Sequence, residues 1–162
     1  MRAILFCLLP CALWAQSRPA PPIPNYEVKR ATSPVVIDGK LDDKAWAAAG
    51  AAELTFPWDS QTGAKQKTVA RLLWDDENLY VSYECEDADI TAQLTQRDDP
   101  TWREDAVEIF INPIPDRQTT AYIGLEMNAR GVLYDYLCVA VPPSSLLFFN
   151  RLNLEGVKVA TS

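Results

Sequence analysis

The chain predicts an all-β fold, an antiparallel β-sandwich of immunoglobulin-like or jelly-roll type with one short N-terminal helix. Two observations carry that expectation. From Lys67 onward apolar and polar residues alternate with a period of two, in runs of five to ten residues. Polar or proline-containing turns separate the runs at short, regular intervals, which is how sandwich sequences read.

The elements follow in order. Residues 1–15 read as an export signal: Arg2 supplies the positive charge, Ala3 to Leu13 the apolar core, and Ala15 a small residue before a cleavage point. That core is too short to span a bilayer as a helix. Pro10, where a lipoprotein signal has a small residue, argues against lipidation at Cys11. The product is expected to be secreted or periplasmic, with no membrane attachment after signal removal. Residues 16–33 read as a linker, because Pro19, Pro21, Pro22 and Pro24 forbid helix and favour extended backbone. The domain, 34–162, opens on an Asp38-Gly39 turn, and Asp42 is placed to cap a helix that runs to Ala49 and stops at Gly50. Trp46 anchors that helix on the core.

In the first hairpin Val69, Arg71 and Leu73 face one way and Ala70, Leu72 and Trp74 the other, Asp75 to Asn78 makes a polar turn, and Leu79, Val81, Tyr83 and Cys85 alternate with Tyr80, Ser82, Glu84 and Glu86. Ala106 to Asn112 is the next strand, with Val107, Ile109 and Ile111 on one face and Glu108 and Phe110 on the other. Pro113 and Pro115 end it. Ala121 to Asn128 turns through Ala129-Arg130-Gly131 into Val132 to Val141, and Pro142-Pro143 stops that strand. Leu152 to Ala160 begins one more alternating run. The domain is expected to lack its C-terminal strands, which would leave an open sheet edge.

Composition narrows the chemistry. With 22 acidic against 15 basic residues the net charge is −7, which argues against a phosphate-binding surface and hence against nucleic acid. Histidine is absent, so no Ser-His-Asp triad, Cys-His pair or imidazole metal site exists. After the leader, Cys85 and Cys138 remain. They are either a disulfide, closing a loop of about fifty residues worth on the order of 4 kcal/mol, or two buried free thiols acting as small hydrophobes.

Three segments give a more specific lead. Val36 to Trp46 contains "IDGKLDDKAW", Trp74 to Val81 reads "WDDENLYV", and Asp105 to Ile111 reads "DAVEIFI". In that order they resemble the family 9 carbohydrate-binding modules over roughly Pro34 to Tyr136. The resemblance implies a non-catalytic domain that binds an oligosaccharide or polysaccharide of xylan or cellulose type and supports carbohydrate breakdown. A monomer is expected. It also implies structural calcium, for which Asp87, Asp89 and Asp105 are candidates among the loop carboxylates, although none of the clusters has EF-hand spacing.

Sugars need flat apolar faces beside directional hydrogen-bonding groups. The aromatic pool is Trp58, Trp74, Trp102, Tyr80, Tyr122, Tyr134 and Tyr136. Trp58 and Trp102 stand out because folding alone does not require a tryptophan in a loop. The polar candidates are Arg97, Glu108 and Asn128. Glu108 reads either as a sugar-binding group or as a solvated strand residue paired with Arg71 or Arg97. Asn128 reads either as a sugar ligand or as a turn residue before Gly131.

Other functions fit the sequence less well. A related β-sandwich superfamily binds haem for electron transfer, but without histidine the usual ligand pair cannot form. Met127 falls in phase with the apolar Ile123 and Leu125, so no haem is expected. Glu104 and Glu108 lie four residues apart, yet nothing marks either as a glycosidase acid, so an enzyme is not expected. A structural or interaction module without sugar binding would instead present a sticky sheet edge.

Overall fold

The computed structural model describes residues 24–54, 66–113, 121–141, 145–150 and 152–162. The export signal, residues 16–23 of the proline-rich linker and Trp58 lie outside the described residues. Those described form an all-β protein of two four-stranded, largely antiparallel sheets, the β-sandwich class the alternation predicted.

The first sheet is built on β3, Thr68–Trp74. β4, Leu79–Cys85, runs antiparallel along one edge for its full length. The other edge is shared. β2, Ala52–Leu54, pairs antiparallel with Thr68 to Ala70, and β1, Lys29–Arg30, pairs parallel with Leu73 and Trp74. Lys29 and Arg30 were expected in the linker. They join the sheet because Tyr26 anchors the segment, its hydroxyl donating to Gly50 O at 2.5 Å and accepting from Leu72 N at 3.1 Å. The β3–β4 turn is made by the polar run expected there. One Asp75 oxygen accepts the backbone N–H groups of Glu77 and Asn78 at 2.9 and 2.7 Å, and the other accepts the Tyr80 hydroxyl at 2.6 Å.

The expected helix is shorter and tighter than its sequence suggested. Lys44–Ala48 is a five-residue 3-10 helix, not an α-helix from Asp42 to Ala49. Asp43, not Asp42, precedes it, and the Asp43 carboxylate accepts Val36 N at 3.0 Å instead of capping the helix. Trp46 does anchor the core. With Ala45 and Leu73 it forms a buried cluster over which Val35, Leu41 and Tyr80 pack.

The second sheet has the order β5-β6-β7-β8: Ala106–Ile111, Ala121–Asn128, Leu133–Val141 and Ser145–Phe149. All its pairs are antiparallel. β8 was not expected, because Pro142-Pro143 reads as a stop. The chain instead returns within a few residues and adds an edge strand whose four large apolar residues are each about half exposed. Leu152 to Ala160, expected as another strand, is irregular with a turn at Glu155-Gly156. Its place on the edge of β7 is already taken by β8, and Gly156 turns the backbone at φ +81°. The segment is held by Leu154 N donating to Asp135 Oδ2 at 2.6 Å, and at its far end by the Ser162 hydroxyl donating to Gly39 O at 2.9 Å.

Cys85 is exposed on β4 of the first sheet and Cys138 is fully buried on β7 of the second. Both are free thiols, so the Cys85–Cys138 bridge that the sequence allowed is not formed.

Candidate functional site

Strand register sorts the second sheet into two unlike faces. Glu108, Glu126 and Tyr134 lie directly opposite one another across β5, β6 and β7, as do Phe110, Gly124 and Tyr136. These six share one face because side chains alternate along a strand and align across a register pair. The other face carries Val107, Ile109, Leu125 and Met127. Met127 stands opposite Val107 and Leu133, an apolar setting.

On the first face the aromatic rings form a continuous row. Trp102 meets Tyr134 edge-on at 4.8 Å between centroids, and Tyr134 meets Tyr136 at 5.3 Å. Tyr136 in turn contacts Tyr122 at 6.2 Å and Phe148 at 5.6 Å, and Tyr122 meets Phe110 at 5.1 Å. Aromatic pairs prefer these edge and tilted geometries to stacked sandwiches. Trp102 and Phe110, at opposite ends of the row, stay more than half exposed, while Tyr134 and Tyr136 are buried between them.

Gly124 makes the row possible. A Cβ at that position would lie 2.2 Å from Tyr136 Cζ, so the tyrosine ring occupies the space above the glycine. Lying there, the ring crosses β6, and its hydroxyl donates to Glu108 Oε1 on β5 at 2.9 Å. An exposed acceptor is thereby fixed beside the rings.

Trp102 reaches the face through a densely bonded loop. It sits in a 3-10 turn, Thr101–Arg103, that packs on β6, with Thr101 completely buried. Asp98, before the turn, adopts φ +67°, a conformation aspartate tolerates better than most residues. The loop's carboxylates bond backbone. Asp99 accepts the N–H groups of Thr95 and Gln96, Asp105 accepts Thr91 N at 2.7 Å, and Glu104 accepts Gln93 N and Leu94 N at 2.6 and 2.9 Å.

The polar candidates therefore divide. Glu108 is exposed beside the rings, and its partner is Tyr136; Arg71 pairs with Glu84 and Arg97 with Asp135. Arg97 belongs to the opposite face, where it neutralises the wholly buried Asp135 at 2.7 Å. Asn128 is 1% exposed, and its amide is used within the fold. Its Oδ1 accepts Arg130 N and Val132 N at 3.0 Å, while its Nδ2 donates to Leu94 O and Glu104 Oε2. It is the turn residue of the two readings. Glu104 precedes β5 instead of lying on it, and these bonds hold it away from any pairing with Glu108.

The carboxylates expected to hold calcium do not meet. Asp87 accepts Asp89 N at 2.9 Å and the Gln66 side chain, and Asp105 is bonded to Thr91. Among the described residues no three His, Cys, Asp or Glu side chains converge on a common point.

Electrostatically the face combines neutral hydroxyls with acidic oxygens. Burial raises the Tyr134 and Tyr136 hydroxyls, and the bond to Glu108 raises Tyr136 further. The Cys138 thiol beside it, together with burial, pushes Tyr122 up to about 12. All three are donors at neutral pH. Glu126, absent from the sequence-based candidates, is 5% exposed, and its Oε1 has no hydrogen-bond partner. Burial raises its pKa and the Glu108 charge adds to that, with the Thr101 hydroxyl opposing. Its signal was present in the sequence, since Glu126 is in phase with Tyr122 and opposite in phase to Ile123 and Leu125. What was missing was the register that sets it against Glu108.

Comparison with protein families matches residues 37–135 to the family described as Carbohydrate family 9 binding domain-like. The match covers more than half of the chain. The chain belongs to this family. Within the family 9 match lie Trp102, Glu108, Glu126 and Tyr134, the centre of the aromatic face, whereas Tyr136 and Phe148 fall beyond it. No curated protein and no solved structure matches the chain.

Proposed function

We propose that this family 9 domain binds carbohydrate without catalysing its breakdown, and that the β5–β8 face is where the sugar docks. The observation that carries the reading is the ring row ending in exposed Trp102, with the Glu108 carboxylate oriented by Tyr136 beside it. A pyranose lays its C–H face on an aromatic ring and directs its hydroxyls to fixed polar partners. The row's exposed end supplies the first requirement, and the Glu108 carboxylate the second. Export through the Ala3 to Leu13 leader belongs to the same proposal and would place the domain where polysaccharide is met.

The test is a titration of intrinsic tryptophan fluorescence with xylo- and cello-oligosaccharides. Binding predicts a saturable change that Trp102→Ala abolishes and Trp74→Ala, on the other sheet, retains. A folded protein whose fluorescence no saccharide alters would remove the proposal.

A further inference from the structure

We infer that the aromatic face selects saccharides bearing a free amine, glucosamine-type units carrying an ammonium group, over neutral sugars of the same size; the inference rests on the carbohydrate-binding reading and refines it. Three observations converge. Glu108 and Glu126 are a register pair, two carboxylates directly opposed on adjacent strands, an arrangement that is unfavourable without a positive partner. Glu126 is buried with an unpartnered oxygen. Among the described residues neither is paired with a Lys or Arg: Arg97 goes to Asp135 and Arg130 to Ala92 O, and Arg103 makes no ion pair with either glutamate.

Asp135, the other buried acidic residue among those described, is compensated. Asp135 has Arg97 and the Leu154 N–H. Glu126 has no comparable partner, and it sits beneath the Thr101–Arg103 turn next to the Trp102–Tyr134 ring pair. Ring faces attract cations as carboxylates do, and the attraction grows as water is excluded. An ammonium on a sugar ring lying on exposed Trp102 and reaching toward Glu108 would face that exposed carboxylate, with the field of Glu126 behind it. A hydroxyl or an N-acetyl group at the same position brings no charge to either.

The other titratable groups around Glu126 do not supply that charge. They are Glu108 on β5, Tyr134 and Tyr136 on β7, and Asp98 before the 3-10 turn; Arg103, the cation of that turn, is exposed and has no carboxylate partner among the described residues. Affinity for the amine should rise as Glu126 ionises and fall once the amine itself loses its proton.

The experiment compares glucosamine oligomers with their N-acetylated counterparts and with cello-oligosaccharides of equal length, by tryptophan fluorescence and calorimetry. The expected result is a preference of about tenfold or more for the free amine, the scale of one charge-assisted contact. It should weaken with added salt and shrink several-fold in Glu126→Gln. Glu108→Gln, at an exposed position, should reduce the preference as well and serves if the buried variant fails to fold. Equal or tighter binding of neutral sugars overturns the inference and leaves the carbohydrate function standing. Folded protein that binds none of the three removes both.

Discussion

Tyr136 donates its hydroxyl hydrogen bond to Glu108 across an intervening strand, 2.9 Å from oxygen to oxygen. The two residues lie on β7 and β5, with Gly124 of β6 beneath the tyrosine ring. A side chain on a sheet normally meets its neighbour one strand away. Here the missing Cβ of a glycine lets a ring span two.

Gly124→Ala should therefore damage the face specifically. The new methyl would enter the Tyr136 ring and displace it, at a cost of about 1–3 kcal/mol typical of overpacking. Urea unfolding should show that loss, and saccharide affinity should fall with it. Tyr136→Phe keeps the ring and removes only the bond, so its stability loss should be near 1 kcal/mol. Its affinity loss should reflect Glu108 released from its fixed position.

Removing Arg97 should expose the dependence of the fold on one ion pair. Asp135 is completely buried, and its carboxylate would lose its cation in Arg97→Met. Breaking a buried pair costs about 3–5 kcal/mol, and the lower end is expected because Arg97 remains partly in solvent. Thermal unfolding measures it. Tryptophan-reported sugar binding in the surviving folded fraction should be unchanged, since Arg97 is on the opposite face.

The two glutamates of β6 and the acidic loop should give stability profiles of opposite slope. Burial works to raise Glu104, but the N–H groups of Gln93 and Leu94 and the Asn128 amide outweigh it and hold its pKa below the ordinary range. Its contribution is present above the unfolded value of about 4.3 and is lost as pH falls through the lowered folded value. Glu126 is raised, so its contribution is present below about 4.3 and is lost as pH rises through the raised folded value. Unfolding between about pH 3 and 8 should show Glu104→Gln flattening the acid limb. Glu126→Gln should be more stable than the parent at neutral pH, with the gain vanishing in acid.

Thiol chemistry should separate the cysteines. Exposed Cys85 should react with a maleimide in native protein, and Cys138 only on unfolding. Peptide mapping that found the two linked would contradict the free thiols seen here.

The edge strand should govern self-association. β8 presents Leu146, Leu147, Phe148 and Phe149, each about half exposed, and among the described residues only β7 pairs with it. Such an edge is a template for another strand. Leu147→Lys should suppress concentration-dependent association in sedimentation without altering sugar affinity, because Leu147 faces away from the ring row.

Local periodicity and turn chemistry determined much of this protein from the sequence by itself. The β3–β4 hairpin, the Asp75 turn, the Glu108 and Phe110 face of β5 and the core role of Trp46 were all legible. Each depends on neighbours within a few residues, where alternation and side-chain-to-backbone bonding act directly. Trp102 was singled out as a loop tryptophan, and the structure sets it at the end of the ring row.

Tertiary structure alone decided the rest. Asn128 and Arg97 were sugar candidates by residue type, yet long-range partners use both to hold the loop and the buried Asp135. Glu126 gained its importance only from strand register, since a carboxylate in phase with tyrosines says nothing until Glu108 is set opposite it. β1, β8 and the irregular 152–162 segment depended on which edges were already occupied. Those outcomes rest on pairings between residues far apart in the chain, and periodicity within a segment does not encode its partner.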